Sequence, residues 1–113
     1  MIPAAFFAVL LVIDGDTVRA PGGEALRLAG IDAPETGHRA RCPAEAALAR
    51  AASARMEALV SGGAWVIWDG SRGRWGRPLI ALRLPDGRDA GAVLIEEGLA
   101  VEWRGARADW CAP

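Results

Sequence analysis

The sequence predicts a single domain, mainly β with two helices, in the strand order of a five-stranded OB-type Greek-key barrel. Three observations predict it. Short apolar runs rich in Val, Ile, Leu and Phe end repeatedly at Gly, Pro or Asp turn signals. One long Ala-rich stretch with helical spacing separates the third run from the fourth, which is the place a helix takes in that barrel. The chain has 113 residues, enough for one domain of ordinary size, so 1–113 is read as one unit. Periodicity does not establish closure of the barrel, and an open α+β sandwich would give nearly the same pattern.

Each element follows from local chemistry. The run 4–13 holds Phe6, Phe7, Val9, Leu10, Leu11, Val12 and Ile13 and ends at the turn dipeptide Asp14-Gly15, so it reads as a buried strand rather than a helix. A second strand starts at Thr17 and a third covers 25–28. Pro21-Gly22-Gly23-Glu24 closes a hairpin between them, and the three strands form a meander. After Pro34 the chain turns polar through Thr36, His38, Arg39 and Arg41. Cys42-Pro43 then opens the helix and Gly62-Gly63 ends it, with Pro at the first helical position and Gly past the end. Leu48, Ala52, Met56 and Leu59 give this helix an apolar face opposite Glu45, Arg50, Arg55 and Glu57. Further strands are expected at 64–68 and 78–84, separated by a Gly/Arg loop at 71–76. A short helix at 90–97, capped by Asp89 and followed by Gly98, and a short strand at 101–103 complete the chain.

Composition excludes several classes. With 52% hydrophobic and 24% charged residues and a net charge of −1, the chain is not a disordered segment. Its longest apolar run, 4–13, is half the roughly 20 residues that a membrane-spanning helix needs, so no membrane partner is expected. A chain of this length buries roughly 65% of its unfolded surface, so a metal would be functional rather than a condition of folding. All 13 basic residues are Arg. The near-neutral balance lacks the broad positive field that drives non-specific nucleic-acid binding, so recognition of phosphate must be local. No basic residue precedes Arg19 and no cleavage-type segment follows the apolar run, which therefore reads as a strand and not as a leader. The two cysteines, Cys42 and Cys111, are too few for a disulfide scaffold and wrongly spaced for zinc, leaving one disulfide or two free thiols.

Three clusters carry chemistry: Asp14-Gly15-Asp16-Thr17 at the first turn, 27–35 at the end of the third strand, and Arg74-Trp75-Gly76-Arg77. Singly each has a bland reading, a turn, a solvent-facing strand or a polar loop. Together they say more. The meander brings Asp16, Asp32 and Glu35 to one end of the barrel, where clustered carboxylates repel unless a cation holds them. Hard oxygen ligands select Ca2+ or Mg2+, and two carboxylates plus a backbone carbonyl, completed by water, suit the looser geometry of Ca2+.

On these residues the sequence resembles the staphylococcal nuclease, or thermonuclease, family from roughly Leu11 to Trp103. The motifs are Val-Ile-Asp-Gly-Asp-Thr-Val at 12–18, Arg-Leu-Ala-Gly-Ile-Asp-Ala-Pro-Glu-Thr at 27–36, Pro-Ala-Glu-Ala at 43–46, Arg-Trp-Gly-Arg at 74–77 and Glu-Glu-Gly-Leu-Ala at 96–100. The resemblance implies that Asp16 and Asp32 bind Ca2+ through their side chains and Ala33 through its carbonyl oxygen. It implies that Glu35 orients or deprotonates the attacking water, and that Arg27 and Arg77 grip the scissile phosphate. The implied activity is Ca2+-dependent hydrolysis of single-stranded DNA and RNA with little sequence specificity; the sequence implies no protein partner, and a monomer is expected. The chemistry agrees: phosphodiester hydrolysis needs an activated water, a cation on the non-bridging oxygens and donors that strengthen as charge develops. Arginine suits the last task because its planar fork donates two parallel hydrogen bonds and keeps its proton.

The chain also departs from the family pattern. Its 37–41 loop is short, Pro78 follows Arg77 where Gly is familiar, and the long C-terminal helix is lacking, all of which bear on substrate reach and affinity. Arg74 and Trp75 read as substrate contacts, Trp75 as a base-stacking platform; Trp103 reads equally as a platform or as core, while Trp65 and Trp68 read as core. His38, without a Cys or Ser partner nearby, reads as an exposed loop residue. A bridge between Cys42 and Cys111 would pin the tail across the barrel in place of the missing helix and would fit an oxidising, secreted or periplasmic setting; two unrelated buried thiols are the bland alternative. The competing functional reading is a non-catalytic nucleic-acid or protein binding module on the same barrel, against which stands the full set Asp16, Arg27, Asp32, Glu35 and Arg77.

Overall fold

In the computed structural model, which describes residues 4–112, the apolar run 4–13 is two strands rather than one. β1 (Ala4–Ala8) and β2 (Leu11–Asp14) are separated at Val9-Leu10 because the two halves serve opposite edges of one sheet. β2 pairs antiparallel with β3 (Thr17–Arg19), and β3 with β4 (Ala25–Leu28), giving the expected meander. β1 instead pairs antiparallel with β6 (Ala64–Arg72), which pairs with β7 (Pro78–Arg83). The sheet is joined where β7 runs parallel to β4, Arg27 opposite Leu79 and Leu28 opposite Ile80.

This topology forces curvature. The six strands lie in the order β1-β6-β7-β4-β3-β2. In a flat sheet the outer two would stand about 24 Å apart at the usual strand spacing. Yet the three-residue step from Ala8 to Leu11 spans at most about 10 Å, so the sheet curls until its edges nearly meet. Counted as one bent strand, β1 and β2 make this the five-stranded OB-like barrel, and the parallel β4–β7 pair is the crossover that a simple meander lacks. A short second sheet joins β5 (Ile31–Asp32) to β8 (Val101–Glu102).

Among the described residues α1 (Pro43–Val60) and α2 (Ala90–Glu96) are the two helices, and a single 3-10 turn lies at Gly37–Arg39. The core gathers Val18, Leu26, Leu28, Met56, Val66, Ile80, Leu82 and Leu94 between the curled sheet and the helices. The buried column of α1 is Glu45, Ala49, Ala52, Met56 and Val60, so the expected face is turned slightly and Leu48 and Leu59 sit at its border. Glu45 thus lies inside and not on the polar face, for a reason that belongs to the site. Trp65 is a second correction: it is 45% exposed and meets Phe7 edge to face at 5.4 Å, because inward positions of β6 alternate through Ala64 and Val66. Trp68 is half-buried against the core, its indole N–H donating to the Ser71 carbonyl. Arg55 of α1 and Glu97 just after α2 join in a two-point ion pair, and Asp89 caps α2 by accepting from the Ala92 N–H. Among the described residues no helix is long and apolar enough to cross a membrane. Residues 103–112 carry no helix, and a Cys42–Cys111 disulfide ties them to the start of α1.

Candidate active site

The β2–β3 turn owes its shape to Gly15. A Cβ there would stand 2.9 Å from the Ala52 Cβ of α1 and 3.0 Å from that of Ala33, so the hairpin tip touches the helix only because it has no side chain. This contact sets Asp16 deep in the fold, 4% exposed, where its carboxylate has three donors. Oδ2 accepts from the Ala33 N–H at 3.0 Å and from the Arg27 guanidinium at 3.2 Å, and Oδ1 accepts from the Thr17 hydroxyl at 3.0 Å. Arg27, on β4, also donates to the Ile31 carbonyl at 3.0 Å and lies 5.8 Å from the centre of the Trp103 ring. Two of its donors are therefore held and its plane is fixed.

The β5–β8 pairing places the next group. Trp103 donates its N–H to the Gly30 carbonyl, which seats the tail beside the end of β4. Asp32 is buried, and its Oδ2 accepts from the Ala108 N–H of that tail at 2.8 Å. Glu35 follows Pro34 where the chain leaves the barrel, half-buried, with the Arg107 Nε 3.7 Å from its Oε1. The Glu35 N–H donates to Glu45 Oε2 at 2.9 Å, the Arg41 N–H donates to Glu45 Oε1 at 2.9 Å, and Arg107 donates to Glu45 Oε2 at 2.7 Å. Burial pushes the Glu45 carboxyl up, but these three donors outweigh it and hold it below its ordinary range.

The arginine loop between β6 and β7 completes the surroundings. Gly73 donates to the Arg77 carbonyl and Gly76, at φ +80°, to the Gly73 carbonyl, a tight turn that presents Arg74, Trp75 and Arg77. These three share one cleft of about 930 Å³ with Arg27, Asp32, Glu35 and Trp103. Asp16 and Ala33 do not line the cleft; Asp16 is joined to it through its ion pair with Arg27, and Ala33 through its N–H to Asp16. Trp75 is 78% exposed and open to a ligand, while Trp103, 44% exposed, has the Arg27 guanidinium over its ring; neither is core.

The acids do not converge on a cation. Among the described residues no three His, Cys, Asp or Glu side chains gather to hold one, since Asp16 and Asp32 turn oxygens toward protein donors instead. Burial first, then the neighbouring Asp16 and Glu35 carboxylates, push the Asp14 carboxyl up from 3.8 to about 7. The donors are hard oxygen throughout, the chemistry that suits a divalent cation such as Ca2+, although Asp16 and Asp32 here spend oxygens on protein donors.

Sequence reasoning missed Asp14, Glu45 and Arg107. Asp14 stood in the recognised motif but read only as a turn residue. Glu45 lies three residues after the helix N-cap Cys42, whose Sγ accepts from the Glu45 N–H, and this capping-box spacing was its available signal. Arg107 had no local signal. Among known families, residues 25–109 match the staphylococcal nuclease homologues. No curated protein matches the chain.

Proposed function

Starting from the chain's membership of the staphylococcal nuclease homologue family, we propose that it is a Ca2+-dependent phosphodiesterase that cleaves single-stranded DNA and RNA with little sequence preference. The family assignment carries nuclease-type or nucleic-acid-binding function; the choice of hydrolysis rests on one observation. Two arginines, Arg27 and Arg77, and the carboxylate of Glu35 face the same cleft. That is the pairing of phosphate donors with a proton acceptor that attack of water on a phosphodiester requires.

In this reading Arg77, and Arg27 within the limits of its bonds to Asp16 and Ile31, donate to the phosphate oxygens as negative charge grows on them. Glu35 accepts the proton of the attacking water. Trp75 and Trp103 stack bases on either side, and Arg74 adds a backbone phosphate contact; none of these groups reads a base edge, which accounts for weak sequence preference. Asp16, Asp32 and the Ala33 carbonyl would hold Ca2+, which when bound supplies charge neutralisation at the non-bridging oxygens.

The Arg27–Asp16 ion pair favours a second reading, a binding module that grips phosphate without cutting it. One assay separates the two. Single-stranded DNA and RNA oligonucleotides incubated with the protein in Ca2+ and, separately, in EGTA should be degraded only in Ca2+. Retention of intact oligonucleotide in a mobility shift, with no cleavage in either condition, would establish the binding module instead.

A further inference from the structure

We propose that Arg107, carried by the disulfide-held tail, is a positioning residue for Glu35, acting with Glu45 as a bracket that fixes where the Glu35 carboxylate stands. The inference rests on the nuclease reading given above.

The argument begins with Glu45. A carboxylate that is 1% exposed is costly unless its charge is compensated, and here the compensation comes from two backbone N–H groups and one guanidinium. Both backbone donors, Glu35 and Arg41, belong to the segment that leaves the barrel after Pro34. Glu45 therefore anchors the two ends of the loop whose first residue is Glu35. Arg107 is the counter-charge that lets Glu45 remain buried, so the position of the Glu35 main chain depends on a residue 72 places away in the sequence.

The same guanidinium also faces the Glu35 side chain. Its Nε is buried without a hydrogen-bond partner among the described residues and stands 3.7 Å from Glu35 Oε1, beyond hydrogen-bond length but at ion-pair distance. One oxygen of Glu45, Oε2, receives both the Glu35 N–H and an Arg107 N–H, which closes a ring from main chain to carboxylate to guanidinium and back to the Glu35 side chain. The neighbouring residue extends the tie, since the Ala108 N–H holds Asp32 Oδ2. Arg107 itself is fixed on both sides: Trp103 bonds Gly30 upstream, and Cys111 is bridged to Cys42 downstream. Although Arg107 also lines the cleft, its Nη2 is committed to Glu45 at 2.7 Å and its Nε faces Glu35, so that edge of the guanidinium is placed to orient carboxylates.

That distinction sets the test. Steady-state cleavage of a single-stranded DNA oligonucleotide in Ca2+ is measured for the wild type, Arg107→Gln, Arg107→Lys and the Cys42→Ser/Cys111→Ser pair, each at a temperature where circular dichroism shows it folded. Ser at 42 retains a capping acceptor for the Glu45 N–H. Misplacing Glu35 weakens an interaction needed in the transition state, so Arg107→Gln should lower kcat on the order of 10- to 100-fold with KM changed less than about twofold. Arg107→Lys, which keeps the charge, should recover part of that loss. The serine pair should lower kcat in the same direction, and Arg107→Gln should cost less in that background than alone, because both act through one contact. An unchanged kcat in Arg107→Gln, a loss confined to KM, or full additivity with the serine pair overturns the inference while the nuclease reading stands. If Arg107→Gln does not fold, Arg107→Lys and the serine pair decide, and wild-type kcat in both overturns it. A wild type that cleaves neither DNA nor RNA in Ca2+ overturns the nuclease reading first and this inference with it.

Discussion

At the residue scale the site is a contest between burial and compensation. Arg77 lines the cleft from the turn between β6 and β7, and replacement by Lys leaves a point charge that cannot donate two parallel bonds to a phosphate. On the proposed nuclease reading, steady-state kinetics should show kcat for Arg77→Lys reduced about 100-fold, with a smaller rise in KM, because in that reading the lost bonds are those that strengthen in the transition state. Glu45 makes a different prediction. Burial raises its carboxyl, yet the Arg41 and Glu35 N–H groups and Arg107 bring it below its ordinary 4.5. A group whose folded value is depressed contributes stability that is present above its unfolded value and is lost as pH falls through the folded value. Glu45→Gln should therefore cost about 2 to 4 kcal/mol at pH 7, where it strands two N–H donors and a guanidinium on a neutral acceptor, and clearly less near pH 3. Thermal melts at the two pH values check it; an equal loss at both would place the contribution of Glu45 in packing rather than charge. Why the motif acids and arginines were legible while Glu45 and Arg107 were not follows from the same chemistry. Asp16, Arg27, Asp32 and Glu35 sit in short contiguous motifs where a strand turns, whereas the Glu45–Arg107 pair joins positions 62 apart, and a charge inside a helix reads as solvent-facing until its partners are known.

At the element scale, strand and helix existence was plain from periodicity and turn chemistry, while partnership was not. The hairpin at Pro21-Gly22-Gly23-Glu24, α1, α2 with its Asp89 cap and the short β8 all stand near where the sequence places them. The run 4–13 showed no break, because the bend at Val9-Leu10 needs no Gly or Pro; it arises from two pairings, with β6 on one side and β3 on the other, that no local pattern records. The packing of α1 on the β2–β3 hairpin likewise turns on a single missing side chain. Gly15→Ala would set a methyl carbon 2.9 Å from Ala52 and 3.0 Å from Ala33, inside contact distance, so helix and hairpin must separate. Overpacking of this kind costs about 1 to 3 kcal/mol, to be read from the urea midpoint, and the displacement carries Asp16 with it. Activity of Gly15→Ala should fall more steeply than its stability requires at assay temperature; a fully active variant with a lowered midpoint would show that the hairpin tip does not set the acid.

At the scale of the whole molecule, the barrel and the tail are closed by different means. The barrel closes through the sheet itself, whereas residues 103–112 carry no helix and are held by Trp103, Ala108 and the bridge from Cys111 to Cys42. The bridge encloses a long loop, its two ends 69 positions apart, that contains α1, β6, β7, α2 and β8. The partners of β6 and β7 at the seams, β1 and β4, lie outside that loop. In the denatured chain the bridge therefore restricts the segment that must find those two strands. A loop of this length lowers denatured-state entropy by an amount equivalent to about 4 kcal/mol in the chain-entropy model, a large part of the 5 to 15 kcal/mol typical of a domain. Replacing both cysteines by Ser should lower unfolding free energy by a comparable amount. It should also raise the denaturant slope, because an unbridged chain exposes more surface when unfolded. The slope discriminates. A lower midpoint with a steeper transition assigns the effect to the denatured state. A lower midpoint with an unchanged slope assigns it to native contacts of the tail, and would mean that the bridge stabilises the fold by seating Arg107 and Ala108 rather than by shortening the search.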